Sequence, residues 1–160
     1  MKHLQAIHKV VFGDIYEWAG ELRTVNIAKG NQFCNYEHLE TYADGIFSKL
    51  KSERFLTDTP PDEMPGRLTY YLSEINVLHP FREGNGRTQR VIIEYLAQAA
   101  GWHTDFSDIS DTEMIEASAE AFAMEYDKMT AMFRRILSPI SRDERQAFCK
   151  LLGFTKSPHK

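Results

Sequence analysis

The stretch His79-Pro80-Phe81-Arg82-Glu83-Gly84-Asn85-Gly86-Arg87, with a further arginine at Arg90, places a base, a carboxylate, two glycines and several guanidiniums close together. It runs directly into Val91-Ile92-Ile93-Glu94-Tyr95-Leu96-Ala97, a helix-forming sequence. Glycines at a helix entrance free the backbone. Unpaired N–H groups and the helix dipole then point at one place, which suits an anion. Arg87 and Arg90, at i and i+3, share a helix face and can grip further phosphate oxygens. The segment reads as a polyphosphate cradle with a hard-metal carboxylate, Glu83, and a base, His79, at its edge.

Taken singly, each piece is ordinary. A histidine before proline is usually a turn residue, Gly-Asn-Gly a loop, and an arginine a solvated surface charge. The order base, carboxylate, Gly-Asn-Gly, Arg, Arg is what carries the signal. Other nucleotide motifs are absent: no Gly-x-x-x-x-Gly-Lys occurs, Gly84-Asn85-Gly86 lacks the third glycine and preceding strand of a dinucleotide fingerprint, and no kinase signature set appears.

At these residues the chain resembles the Fic family, whose signature is His-x-Phe-x-Asp/Glu-Gly-Asn-Gly-Arg-x-x-Arg. His79, Phe81, Glu83, Gly84, Asn85, Gly86, Arg87 and Arg90 match every fixed position. Ile15-Tyr16-Glu17-Trp18-Ala19-Gly20 and Glu74-Ile75-Asn76 are similar to the family as well. The resemblance implies a core of residues 1–137, with 138–160 as a C-terminal helical extension. It also implies a bacterial protein adenylyltransferase that moves AMP from ATP to a Tyr, Thr or Ser hydroxyl of a target protein and releases pyrophosphate. His79 would take the hydroxyl proton and Glu83 would hold Mg²⁺. Gly84, Asn85 and Gly86 would face the α- and β-phosphates, and Arg87 and Arg90 the β- and γ-phosphates. Phe81 would anchor the loop on the core.

A branch of the same superfamily, the Doc toxins, phosphorylates its target and carries Ala and Lys where this chain has Gly84 and Gly86. The intact Gly-Asn-Gly favours AMP transfer. A Doc-like phosphotransferase and a non-catalytic nucleotide-binding module are the alternatives; the second is disfavoured because base and metal carboxylate are both present. Many Fic proteins are restrained by a helix with Ser/Thr-x-x-x-Glu-Gly/Asn. Thr59–Glu63 and Thr112–Glu116 have the spacing, but Met64 and Ala117 follow, so neither completes it. The chain opens at the first core helix, so restraint is expected from a separate small antitoxin that supplies the Glu to Arg90, the alternatives being an unrestrained enzyme or a trimmed chain.

The 160 residues, 42% hydrophobic and 12% aromatic, suffice for one sizeable core. A net charge of −4 argues against nucleic acid or an anionic membrane as partner. With no membrane-length apolar run, no signal peptide and two cysteines (Cys34, Cys149) in no metal spacing, a cytoplasmic protein is expected, a secreted effector being the other possibility.

The elements that must position the motif are mostly helical. Leu4, Ile7, Val11 and Ile15 form a stripe predicting a helix over 3–18 that stops at Gly20. A second helix is expected over 38–51. A third should start at Thr59-Pro60-Pro61-Asp62 and run through Leu68, Leu72 and Ile75 towards His79. Ser110–Glu113 and Ser141–Glu144 read as capping boxes, and Tyr126, Met129, Phe133 and Leu137 mark a further apolar face. One segment alternates instead: Leu22–Ile27 and Gln32–Tyr36 flank the turn Lys29-Gly30-Asn31, predicting a two-stranded hairpin. The expected fold is thus mainly α, a Fic-type helical bundle with a small hairpin flap. By the resemblance, that flap docks the target segment by main-chain pairing, with Ile27 and Phe33 as clamps.

Overall fold

A fifteen-residue helix with apolar side chains on most of its circumference can only be stable when surrounded, and α3 (Met64–Leu78) is that helix here. A computed structural model of the protein describes residues 1–151. Around α3 lie α2 (Leu39–Ser52), α4 (Asn85–Ala100), α5 (Asp111–Phe122) and α6 (Asp127–Ile136). Leu68, Tyr71, Ile75 and Leu78 of α3 are fully buried among them. Each such side chain contributes about 1.5–3 kcal/mol by leaving water. α1 (Lys2–Phe12) crosses α4, and α7 (Arg142–Leu151) lies against α4 at its other end.

Two minimal antiparallel sheets complete the described residues. β1 (Ala28–Lys29) pairs with β2 (Asn31–Gln32), and β3 (Trp102–Thr104) with β4 (Leu137–Pro139). The fold is mainly α with a small hairpin, as the sequence predicts.

Several boundaries moved, each for a physical reason. α1 ends at Phe12, and residues 13–20 are turns. Its buried face is Leu4, His8 and Phe12, whereas Val11 and Ile15 are exposed. An apolar-only stripe does not count His8, yet this side chain is wholly buried and receives the amide of Gly20, so the chain folds back instead of extending the helix. α3 begins at Met64, not at 59, with Pro65 in its first turn. Pro60 precedes Pro61 and is thereby disfavoured from the α region; its carbonyl closes a separate turn onto Glu63 and Met64. The hairpin forms, but far shorter than alternation implies: residues 22–27 are irregular and only two residues pair on either side of Gly30.

The caps behave unequally. Ser141 and Glu144 exchange both bonds of a capping box, at 2.8 and 3.2 Å. Ser110 accepts the amide of Glu113 at 3.1 Å, but the Glu113 carboxylate goes to Arg135 instead of returning. At the far end of α4, Gly101 adopts φ 99° and Arg145 of α7 donates to the Ala99 carbonyl at 2.9 Å, tying α7 to the helix that the motif opens.

Candidate active site

α3 stops where proline makes it stop. His79 precedes Pro80, which disfavours the α region, and takes φ 41° and ψ 60° while its amide still caps Ile75 at 3.1 Å. A left-handed conformation costs a non-glycine residue about 1–2 kcal/mol, so neighbours must hold it. The following ring, Phe81, is fully buried and pins the loop to the core. Asn85 completes the bend: its Oδ1 accepts the Phe81 amide at 2.9 Å, and its Nδ2 donates to the Phe81 carbonyl at 2.8 Å. The Asn85 side chain therefore braces the loop, and what it offers to an anion is its backbone N–H.

That N–H belongs to an open helix end. The first helical bond of α4 runs from Thr88 to Gly84 (3.1 Å), which leaves the amides of Asn85, Gly86 and Arg87 without a protein acceptor among the described residues. The two glycines serve different needs. Gly84 sits at φ 79°, and a Cβ there would lie 2.5 Å from the Phe12 ring, so glycine is required twice over. A Cβ on Gly86 would meet nothing within 4 Å, so no protein contact demands that glycine. Its smallness keeps space open at the helix mouth.

Charge converges on the same place. Arg87 is exposed and its guanidinium lies 4.4 Å from the centre of the Phe12 ring. Arg90 is half-buried one turn further on and makes no ion pair among the described residues. Arg82 lies 5.8 Å from the centre of the Trp18 ring. The whole-chain charge of −4 thus hides a locally positive loop. Glu83 is exposed, and its Oε1 accepts the Gly84 amide at 2.9 Å, leaving its other oxygen free among the described residues. No group of three or more His, Cys, Asp or Glu suited to a metal exists among the described residues. A single free carboxylate beside an anion-binding helix end suits Mg²⁺, which takes most of its oxygens from phosphate and water.

His79 is the imidazole the loop presents. Its Nδ1 lies 3.2 Å from the Asn76 carbonyl, which can only accept, so Nδ1 carries the proton and Nε2 holds the lone pair. Burial above all pushes its pKa down to about 4, with Arg23 and Lys29 acting in the same direction against the Asn76 bond and Glu83. The imidazole is neutral at neutral pH. Phe33 stacks on it, ring centres 3.7 Å apart and planes 13° from parallel. Ile27 is half-buried, and its carbonyl accepts the Phe33 amide at 3.4 Å. The structure thus brings Phe33 onto the His79 ring, and Ile27 to the foot of the hairpin.

Three residues that support this site escaped the sequence reading. His8 accepts the Gly20 amide on Nδ1 (2.9 Å), so its Nε2–H donates to the Glu83 carbonyl (2.9 Å), and its ring stacks on Phe81 at 3.9 Å. Phe12 fills the space against Gly84 and lies under Arg87. Arg23 is buried and donates to the His79 carbonyl at 2.8 Å. A four-residue spacing from Leu4 to His8 to Phe12 was the one available signal; nothing in the alternation of residues 22–27 marks Arg23 as internal.

The model of the Fic/DOC family matches residues 1–97, the part that holds α1, the hairpin and the whole loop. The chain belongs to the Fic/DOC family. Among its relatives is the protein adenylyltransferase VbhT of Bartonella schoenbuchensis, 43% identical over 146 residues, covering 91% of this chain and 30% of that protein. The probable protein adenylyltransferase y4lH of Sinorhizobium fredii is 36% identical over 137 residues, covering 84% of this chain and 71% of the relative. The Fic chain also resembles solved structures. The N-terminal Fic domain of a putative cell filamentation protein from Bartonella quintana, with ADP bound, aligns at TM-score 0.85 and 27% identity, covering 89% of this chain and 74% of that one. BepC of Bartonella tribocorum, with AMPPNP bound, aligns at 0.83 and 25%, covering 88% and 75%.

Proposed function

We propose that this Fic chain is a protein adenylyltransferase, transferring AMP from ATP to a Tyr, Thr or Ser hydroxyl of another protein. The observation that carries the reading is a neutral imidazole, its proton held on Nδ1, beside an open helix end ringed by arginines. His79 Nε2 accepts the hydroxyl proton, the freed oxygen bonds the α-phosphorus, and the bond to pyrophosphate breaks. The amides of Asn85, Gly86 and Arg87 receive phosphate oxygens, and the guanidiniums of Arg87 and Arg90 hold the outer phosphates. Mg²⁺ bound at Glu83 would neutralise phosphate charge.

The names of the relatives and the nucleotides in similar structures support this reading. The intact Gly84-Asn85-Gly86, in place of the Ala and Lys of the Doc branch, also favours it over the Doc-like alternative. Residues 1–137 form the transferring core. In the extension, Ser138 and Pro139 pair with β3, and α7 packs on α4 through Arg145 and Phe148. Arg145 also reaches the Thr57 carbonyl at 3.4 Å, while residues 152–160 lie outside the described residues. Arg90, free of any ion pair among the described residues, is available to a carboxylate of a small inhibitory partner, an antitoxin, as well as to ATP. No helix among the described residues is long and apolar enough to cross a membrane, and we place the activity in the cytoplasm of a bacterium or of a cell that receives the protein.

The test is label transfer with Mg²⁺ and either α- or γ-labelled ATP in a bacterial lysate. Incorporation of the α label alone, lost in His79→Ala while nucleotide binding persists, is the expected result. Incorporation of the γ label would replace AMP transfer by phosphotransfer. No incorporation of either would leave nucleotide binding as the function.

A further inference from the structure

Arg23 is the largest fully buried side chain of the described residues, 2% exposed, and no carboxylate pairs with it there. A buried charge without a partner is costly, so its surroundings must compensate. They do so with carbonyl groups. Nε donates to His79 at 2.8 Å, Nη1 to Val25 at 2.8 Å, and Nη2 to Cys34 and, at 3.5 Å, to Leu78. Leu78 and His79 close α3, where the helix dipole is negative and a cation is favoured. Val25 and Cys34 lie in the two irregular limbs that lead into β1 and out of β2 of the hairpin. Backbone bonds run beside the guanidinium: the Arg23 amide donates to Pro80 and the Cys34 amide to Val77, both at 2.9 Å. One side chain therefore joins both limbs of the hairpin to the peptide of the base, and the Phe33 ring lies on the imidazole next to this junction.

We propose that Arg23 is a positioning residue for the transfer: it seats the hairpin on the end of α3 and thereby holds His79 in its left-handed conformation beneath Phe33. This rests on the adenylyl-transfer reading for its kinetic consequence but not for its structural one. None of the Arg23 hydrogen bonds goes to Asn85, Gly86, Arg87 or Arg90, the residues expected to hold ATP. Loosening it displaces the base and the hairpin while leaving the phosphate cradle intact. A displacement of about 1 Å in a reacting group costs about 10²-fold in rate.

The experiment compares the full chain with Arg23→Met, which keeps the stem and removes every donor, and Arg23→Lys, which keeps the charge but cannot fork to both limbs. Three quantities are read: the rate of α-label transfer, Mg·AMPPNP affinity, and the proton shifts of the His79 ring. Stacking at 3.7 Å places those protons in the Phe33 ring current, which gives a spectroscopic signature of the seated hairpin. Arg23→Met should lose about 10²-fold in transfer, keep its nucleotide affinity and lose the ring-current shift. Arg23→Lys should show the same pattern, less deeply. An unchanged ring shift, a wild-type rate, or nucleotide affinity falling in step with rate would each overturn the proposal. If Arg23→Met does not fold, Arg23→Lys decides by the same readouts. If the wild-type chain transfers no label, the adenylyl-transfer reading fails, and the ring shift and nucleotide affinity still decide what Arg23 does.

Discussion

Replacing Gly84 by alanine isolates the two demands that the loop places on one atom. The backbone at φ 79° lies in the left-handed region, where an L-residue costs about 1–2 kcal/mol. The added methyl would stand 2.5 and 2.6 Å from two carbons of the Phe12 ring, an overlap only movement can relieve. Overpacking of this kind costs about 1–3 kcal/mol. Together the change removes about 2–5 kcal/mol from a domain whose whole stability is of order 5–15 kcal/mol. For a chain of this length that lowers the melting temperature by about 4–20 °C. A second substitution separates the terms. Phe12→Leu withdraws the ring edge but leaves the backbone strain, so the double variant should be more stable than additivity by about 1–3 kcal/mol. Because the same ring lies under Arg87, Gly84→Ala should also weaken ATP binding. Thermal denaturation followed by circular dichroism, over the four-member cycle, measures this. Strict additivity, or an unchanged melting temperature for Gly84→Ala, would refute the account of the loop.

The remaining expectations use His79, His8 and Arg90. The active form of His79 is neutral and its pKa is lowered to about 4, so the acid limb of kcat/KM should fall near pH 4; a limb at the ordinary imidazole value would mean a solvated base. His8 is held neutral because burial lowers its pKa, so the unfolded chain binds the extra proton first; stability should be full above about pH 6.5 and decline as pH falls below it, in melting curves taken across that range. His8→Phe keeps the stack on Phe81 but strands the Gly20 amide and the Glu83 carbonyl, at about 1–3 kcal/mol each, and an unchanged melting temperature would show that those groups need no partner. Arg90→Ala should weaken ATP binding and equally blunt silencing by a partner bearing Ser/Thr-x-x-x-Glu-Gly/Asn, read as inhibition curves of label transfer; full inhibition of the variant would place the inhibitory contact elsewhere.

The sequence alone determined the kind of fold and the order of the groups in the loop, because both depend on short-range patterns. The order of His79, Glu83, Gly84, Gly86, Arg87 and Arg90 follows from one loop entering one helix, and the helix begins at Asn85 as its spacing requires. The surround of α3 was legible because apolar residues recur at helical spacing. What tertiary structure decided is everything a polar group does in the interior. His8 and Arg23 look like surface residues in the chain, and both are buried because backbone groups from distant segments, Gly20 and Glu83 for one, His79 and Cys34 for the other, meet their nitrogens. The same long-range bonds shortened α1 and took residues 22–27 out of the strand that their alternation predicts. A periodicity records which side chains leave water, but not which backbone group a buried polar side chain will find. That partner is set by contacts across tens of residues, and in this protein those contacts reach the loop at the Glu83 and His79 carbonyls.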